Sequence, residues 1–288
     1  MLDCAIIGGG PAGLTAALYL GRFLRRVAVI DDGESRAALI PLSHTIAGFP
    51  DGIAGPALLA RMRVQAEAAG AARVSARVAR VARAGEGFRL SLAGGGEVGA
   101  RRVIVATGVR NHAPRLPRAR HDAAVAAGLL RYCPICDGRE ARGLRIGVLG
   151  EGAHALAEAA FIRTYSDDVT LIPADAGLRP GWPEPRVISA RIATGRAGGG
   201  RVAVFDTVYV ALGTAARVDA VHGLGLRLSG DGCLVTDAAQ ETDVPGLHAA
   251  GDVTDALDQV AVAVGQGAVA ATAVHNALRR AERRRSGA

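Results

Sequence analysis

LDCAIIGGGPAGLTAALYLGRFLRRVAVID, residues 2–31, is the stretch whose reading decides the fold. Leu2 to Ile7 is a short apolar run, Gly8-Gly9-Gly10-Pro11-Ala12-Gly13 is a turn, and Leu14 to Arg25 has helical periodicity. Val27 to Ile30 reads as a second buried strand, ending in Asp31 eighteen residues after Gly13. Gly8, Gly10 and Gly13 therefore give G-x-G-x-x-G between a strand and a helix. Glycines there allow a tight turn and let backbone N–H groups approach a pyrophosphate at the helix N-terminus. Asp31 is placed to accept hydrogen bonds from a ribose. A purely structural Gly-rich turn is the alternative, and the flanking strand, helix and acid count against it. The turn alone does not separate FAD from NAD.

The other end of the chain bears on that choice. Ala249-Ala250-Gly251-Asp252-Val253 follows an apolar strand, and Gln259 to Arg280 reads as one long helix. Asp252 can bond the ribityl chain of a flavin. Gln259, Val260 and Ala261 open the helix, where N–H groups can meet the electron-rich edge of a reduced isoalloxazine. Asp252 alone would read as a helix cap. Paired with Ala106-Thr107-Gly108, which closes a strand from Arg102, and with the first glycine turn, it points to FAD.

The 288 residues are half hydrophobic, enough for two compact domains and too apolar for disorder. All 34 basic residues are Arg, against 27 acids, giving a net charge of +7. The Arg residues are scattered, apart from a run at 279–285 that ends the last helix, so nucleic-acid binding is not expected. The uncharged run Gln259 to Leu278 contains Gln266, His275 and Asn276 and reads as a core helix rather than a membrane span. The chain opens straight into a strand without a signal-peptide pattern, so a cytoplasmic protein is expected.

Strand, turn and helix recur at Leu144 to Leu149, Gly150 to Gly152 and Ala153 to Tyr165, followed by a strand at Val169 to Ile172. Gly55 to Ala69 reads as a further helix, and Arg73 to Val81 with Phe88 to Leu92 as a hairpin. Short strands are expected at Val202 to Phe205, Val208 to Leu212 and Cys233 to Val235, and within Asp243 to Asp252. The expected fold is α/β, with two Rossmann-like three-layer domains, the second inserted into the first. Residues 1–113 and 243–288 make the FAD domain and 114–242 a degenerate NAD(P)-type domain. The crossings are expected at Asn111 to Arg120, rich in Pro and Arg, and at Ala239 to Pro245.

Cys133-Pro134-Ile135-Cys136 precedes Asp137-Gly138. Two thiols at this spacing can close a small disulfide ring, with reactivity set by their thiolate fraction. Zinc is the competing reading; it needs four ligands, and only His112 and His121 lie upstream. A redox pair fits better, with an inert buried pair as the remaining possibility. Cys4 and Cys233 fall in predicted strands and read as packed thiols.

These motifs, in this order over nearly the whole chain, resemble the low-molecular-weight thioredoxin reductase family of FAD-dependent disulfide oxidoreductases. The resemblance rests on GGGPAG at 8–13, Ala-Thr-Gly at 106–108, Cys133 to Asp137, a second glycine turn at Gly150, and Ala-Gly-Asp-Val at 250–253. It implies that Cys136 faces the flavin, that Cys133 handles the substrate sulfur, and that Asp137 is the acid/base for the thiol proton. It also implies a homodimer and a rotation between domains.

The chain departs from the family around the second turn, Gly150-Glu151-Gly152-Ala153-His154-Ala155. Thioredoxin reductases follow the next strand with a His-Arg-Arg run that grips the 2′-phosphate of NADPH. Here it reads Ile172-Pro173-Ala174-Asp175-Ala176-Gly177, with Arg179 the nearest cation and Glu151 setting a negative charge where a pyrophosphate would lie. The following segment is short and holds Pro173, Pro180, Pro183 and Pro185, which argues against a regular helix.

Asp258-Gln259-Val260 stands where the family has Arg-Gln-Ala. Ser43 to Pro50 is expected beside the isoalloxazine, where His44 reads first as a surface-loop histidine and second as a proton carrier; His154 and His275 have no assigned role. The expected activity is dithiol/disulfide exchange with FAD, not dependent on NADPH, on a small dithiol or thioredoxin-like protein. Oxygen, a ferredoxin or a second flavin would be the electron partner. Dithiol oxidases share the fold and lack the NADPH motif, but often carry His where this chain has Asp137. An NAD(P)H-dependent reductase is the alternative, and a noncatalytic flavin sensor a further one.

Overall fold

The computed structural model describes residues 1–181, 187–193, 200–285 and 287. The chain divides into two compact units, Met1–Ile40 with Ala54–Arg110 and Ala215–Ala288, and Pro41–Ile53 with Asn111–Thr214.

The first unit runs β1 (Leu2–Ile7), α1 (Pro11–Arg22), β2 (Val27–Asp31), α2 (Gly55–Ala68), β3 (Ala72–Ser75), β4 (Val78–Ala84), β5 (Gly87–Leu92) and β6 (Glu97–Val105). Apolar side chains on successive residues of β1 leave no face for water, as expected of a central parallel strand. Cys4 and Ile6 pack towards α1 and the last helix; Ala5 and Ile7 pack on the opposite face with Phe88, Leu90 and Val103. Parallel pairing runs β3–β2–β1–β6, and β4–β5 is an antiparallel hairpin continuing from the N-terminal half of β6. The alternating stretch expected from Arg73 to Val81 is thus two strands, because β3 pairs with β2 before the chain turns into the hairpin.

The connecting strand β7 (Val109–Asn111) leads into the second unit: α3 (Arg118–Ala126), β8 (Leu130–Arg131), the single turn α4 (Pro134–Asp137), β9 (Ile146–Leu149), α5 (Gly152–Ile162) and β10 (Val169–Ile172). β11 (Gly177–Pro180), β12 (Ile188–Ala193) and β13 (Gly200–Phe205) form an antiparallel sheet, and β14 (Thr207–Val210) completes a parallel sheet ordered β10–β9–β14–β8. Pro180 ends β11, and no helix forms among the described residues of 173–193; Pro183 and Pro185 lie outside the described residues.

The return connection is β15 (Thr214–Ala216), hydrogen-bonded with β7 in a two-stranded ladder; β16 (Leu247–Ala249) and α6 (Val260–Arg285) follow. The chain therefore returns to the first unit at Ala215, not at residue 243. Apart from the short run at Cys233 to Val235, residues 215–242 carry no helical or strand period in the sequence, but Val221 and Leu234 are buried in the hairpin-side core of the first unit. The return crossing is β15, and Ala239 to Pro245 lies wholly inside that unit. Cys233 to Val235 is not a strand; Leu234 alone makes isolated bridges, to Leu228 and Thr254. Cys233 is half-buried rather than packed away, whereas Cys4 is fully buried and its thiol pKa is pushed up by that burial.

By length and composition α6 could cross a membrane. It instead sends Ala270, Ala271, Val274 and Leu278 into the core of the first unit. Its far end is tied down by charge: Glu282 Oε1 takes Arg25 Nη1 at 2.7 Å and Arg101 Nη1 at 2.8 Å. Those two hydrogen bonds hold its carboxyl at about 2. His275 accepts from Arg25 Nε at 3.1 Å and lies 4.4 Å from the Phe23 ring, so it belongs to this anchor.

Candidate active site

Three turns meet at the C-terminal edge of the first unit's parallel sheet. Pairing of Ile7 with Val105, and of Val105 with Ala249, sets Gly8, Ala106 and Ala250 side by side. Ala106 N donates to Ile7 O at 2.8 Å, and Ala250 N to Val105 O at 3.0 Å. A Cβ on Gly8 would strike the Ala106 carbonyl, and one on Gly13 the Gly8 carbonyl; Gly8 also has φ of +106°. These glycines are required by backbone approach. Pro11 starts α1 behind the cap Gly10, where its missing N–H costs nothing. The first-turn N–H groups of α1 lack intrahelical acceptors and suit a diphosphate.

Asp31, buried at the end of β2, takes Gly9 N at 3.0 Å on Oδ1. A groove lined by Gly9, Asp31, Arg63, Glu67 and Arg73 runs beside it. Gly251, at φ of +82°, lies against the methyl of Ala12 and donates its N–H to Gln266 Oε1 of α6 at 2.7 Å. Gln259 directly precedes Val260, the first residue of α6. Gly108 also has positive φ, but Thr107 Oγ1 donates to Arg217 O at 2.7 Å, so that hydroxyl is used by the chain's own backbone.

Arg36 was not singled out in the sequence, having no motif around it. It binds Asp252 Oδ2 at 3.0 Å and Asp258 Oδ2 at 2.7 Å. Burial and the neighbouring Asp252 push the Asp258 carboxyl up, and Arg36 opposes them. The open helix N-terminus, the ribose-type acid and the Asp252 turn are a donor and acceptor set that FAD fits.

In the second unit, Cys133 and Cys136 are joined as a disulfide with Cα atoms 5.3 Å apart. Cys133 caps α4, and its Sγ accepts from Cys136 N at 3.2 Å. Both cysteines are half-buried and Ile135 between them is exposed. Gly138 follows because a Cβ there would collide with the Pro134 carbonyl and the Tyr165 ring. Asp137 Oδ1 accepts from the Tyr209 hydroxyl at 2.9 Å, and Oδ2 pairs with Arg131 Nη1 at 2.9 Å. Burial leaves its carboxyl raised above the ordinary value, against the opposing pull of Arg131 and Tyr209.

Of the two histidines in the zinc reading, His121 has both ring nitrogens taken, by Asp122 and Tyr132 at 2.8 and 2.6 Å, and His112 Nδ1 meets Leu212 O at 3.0 Å. No group of three metal-type ligands occurs among the described residues. His44, expected beside a flavin, falls in the Pro41–Ile53 segment grouped with the second unit, with Nε2 at 3.9 Å from Glu140 Oε1.

The second glycine turn keeps its backbone. A Cβ on Gly150 would strike the Ala211 carbonyl, and Gly152 sits at φ of +70°. Glu151 caps α5, and its Oε1 reaches the end of the neighbouring strand to accept from Ala174 N at 3.3 Å.

The sequence model of the pyridine nucleotide-disulphide oxidoreductase family matches residues 2–193 and 186–267. The chain belongs to that family. The thioredoxin reductase of Streptomyces clavuligerus is 30% identical over 92% of this chain and 90% of that one. The thioredoxin reductase of Peptoclostridium acidaminophilum is 28% identical over 94% and 95%. Among solved structures, thioredoxin reductase from Streptococcus pyogenes superposes with a TM-score of 0.88 at 26% identity, covering 97% of this chain and 99% of that one. HlmI gives 0.84 at 30% identity, covering 100% and 98%. The chain is a thioredoxin reductase-like, FAD-dependent disulfide oxidoreductase.

On this family scaffold one buried carboxyl has no counterpart among the motifs. Glu158 lies on α5 with Oε2 3.6 Å from His154 Nε2, and among the described residues its buried Oε1 has no hydrogen-bond partner. Burial pushes its carboxyl from 4.5 up to about 7. Folded Glu158 therefore holds its proton after the unfolded chain has lost it, so the residue costs stability progressively from pH 4.5 to 7 and no more beyond. Glu158→Gln is expected to raise stability at pH 8 by up to about 3 kcal/mol and to change it little at pH 4. Urea unfolding at the two pH values checks this; an equal gain at both would mean that packing, not titration, is responsible.

Proposed function

We propose that this chain exchanges electrons between FAD and the Cys133–Cys136 pair without NADPH, oxidising a small dithiol or a thioredoxin-like protein, or reducing one with electrons from another donor. The observation that carries this is the Glu151 carboxylate reaching from the glycine turn to Ala174 N. In a nucleotide-binding unit the ends of these two strands receive the pyrophosphate and ribose. An anion there opposes the pyrophosphate and the 2′-phosphate of NADPH. The retained backbone of the Gly150 turn favours the second reading, an NAD(P)H-dependent reductase.

FAD, when bound, supplies a two-electron acceptor and donor. Gly8, Gly10, Pro11, Ala12 and Gly13 would hold its diphosphate, and Asp31 its adenosine ribose. Ala106, Gly108, Gly251 and Asp252 would hold the ribityl side, and Gln259 and Val260 would meet the ring edge. Thr107 helps only through the turn it stabilises. In the second unit, Cys133 takes the substrate sulfur, Cys136 is the thiol on the flavin side, and Asp137 holds the thiol proton. The N–H of Cys136, directed at Cys133 Sγ, stabilises a thiolate there. Oxygen, a ferredoxin or a second flavin would complete the cycle, in a cytoplasmic homodimer. The relatives are named for reducing thioredoxin, which makes a thioredoxin-like protein one substrate to try.

Adding NADPH and then dithiothreitol to the anaerobic yellow protein tests the reading. NADPH is expected to leave the flavin absorbance unchanged, and dithiothreitol to bleach it, with recovery in air. Prompt bleaching by NADPH would overturn the claim of a lost nucleotide site.

A further inference from the structure

We propose that Arg131 and Tyr209 are positioning residues for the dithiol chemistry, holding the Asp137 carboxylate in one orientation and tuning its grip on the thiol proton. The inference rests on the reading of Asp137 as that proton's partner. It starts from strand register: Arg131 of β8 lies directly opposite Tyr209 of β14. Residues paired across parallel strands share a face, so their polar ends emerge together. Thr207, two residues before Tyr209, is on the same face and accepts from Arg131 Nε at 3.2 Å, while its own hydroxyl donates to Gly128 O at 2.9 Å. The guanidinium is thereby fixed before it meets the acid. The turn from Tyr132 through α4 brings Asp137 back onto this pair, six residues after Arg131, and Arg131 Nη1 also reaches the Asp137 carbonyl at 3.3 Å.

A structural ion pair needs only the Arg. Here each carboxylate oxygen has its own donor, one charged and one neutral, from different strands. Tyr209 is fully buried, among the largest such side chains in the molecule. A buried phenol needs a partner for its hydroxyl, and this one is spent on Asp137. Both donors favour the ionised acid, against the burial that disfavours it. Burial is the stronger effect and leaves the carboxyl raised, and the two donors set how far it rises and where its oxygens point.

When a dithiol reduces the bridge, one substrate thiol gives its proton to Asp137. Its thiolate attacks Cys133 Sγ, the S–S bond breaks, and Cys136 leaves with the electron pair and takes up a proton. The second substrate thiolate then displaces Cys133 from the mixed disulfide. The substrate leaves as a disulfide, oxidised by two electrons, and both enzyme sulfurs are reduced.

The test is the initial rate of thiol appearance in the FAD-loaded protein on mixing with dithiothreitol under anaerobic conditions, by acid quench and maleimide trapping, across the pH range. The protein would be compared with Asp137→Asn, Tyr209→Phe, Arg131→Gln and Arg131→Lys. Dividing each rate by that of Asp137→Asn cancels the ionisation of dithiothreitol and leaves the carboxylate's titration. Tyr209→Phe is expected to move the midpoint of that ratio up by about one pH unit, a rate loss of about tenfold below the midpoint and none above it. Arg131→Gln should move it further, and Arg131→Lys should restore part of the shift. Tyr209 and Arg131 profiles parallel to that of the unmodified protein would overturn the positioning role while leaving Asp137 in place. An Asp137→Asn profile differing from the unmodified protein by a constant factor would overturn both the inference and the reading beneath it.

Discussion

A Cys136→Ser variant is expected to stay yellow and to lose at least about a thousandfold in dithiol-dependent flavin bleaching. The reason is chemical, not structural. Both cysteines are half-buried on one short turn, and an oxygen in place of Cys136 Sγ leaves the fold's packed core untouched. A serine cannot form or break the S–S bond through which both electrons pass, so the loss should approach the uncatalysed rate. Cys133→Ser should lose as much turnover, because the two sulfurs act as one unit and their effects do not add. The measurement is the initial rate of anaerobic bleaching by dithiothreitol, with flavin content as the control. A variant that keeps its flavin and still bleaches within tenfold of the unmodified protein would show that electrons reach FAD without the pair. A sensor would show normal flavin binding in both variants and little turnover in any form.

Gly13→Ala is expected to give a colourless protein. The added Cβ would lie against the Gly8 carbonyl, a backbone atom with no flexible end to yield, with Ala106 behind it. α1 would have to move off β1, and the N–H groups intended for the diphosphate would move with it. Overpacking of this kind costs about 3 kcal/mol. Since the same shift removes the cofactor's anchor, FAD content after purification should fall below about a tenth of the unmodified protein's. Gly223→Ala is the control: its Cβ would meet nothing within 4 Å, and its backbone is not left-handed. That variant should keep its flavin and change stability by no more than about 0.5 kcal/mol. A yellow, stable Gly13→Ala protein would mean that the turn is not where the diphosphate lies.

Together these variants separate the two halves of the enzyme. Loss of colour tests the first unit's turns, and loss of turnover with colour retained tests the dithiol. Neither depends on which electron partner the chain uses, which the NADPH and dithiothreitol additions address.

The first unit's candidate site was legible from Gly8, Gly13 and Gly251, each of which answers a local backbone demand, with Asp31 at the end of the next strand. A strand must end, a helix must begin within a few residues, and only glycine fits the close approach. Such demands recur wherever the turn occurs, so they leave a spacing in the chain. The Cys133–Cys136 pair was legible for the same reason, since its ring closes within four residues. The placement of residues 215–242 was not, because their attachment to the hairpin-side core rests on a few dispersed apolar side chains, Val221 and Leu234 among them, with no period to announce it. Arg36 escaped notice because its partners lie more than two hundred residues away.

What the amino-acid sequence determined by itself was the order of strand, glycine turn and helix, the family, and which two cysteines pair. Tertiary structure alone decided which groups surround them: Arg131 and Tyr209 on Asp137, Arg36 between Asp252 and Asp258, and Glu151 on Ala174 N. The physical reason is range. A turn is specified by the φ and ψ of neighbouring residues, whereas the charge environment of a carboxylate depends on which strands pair and in what register.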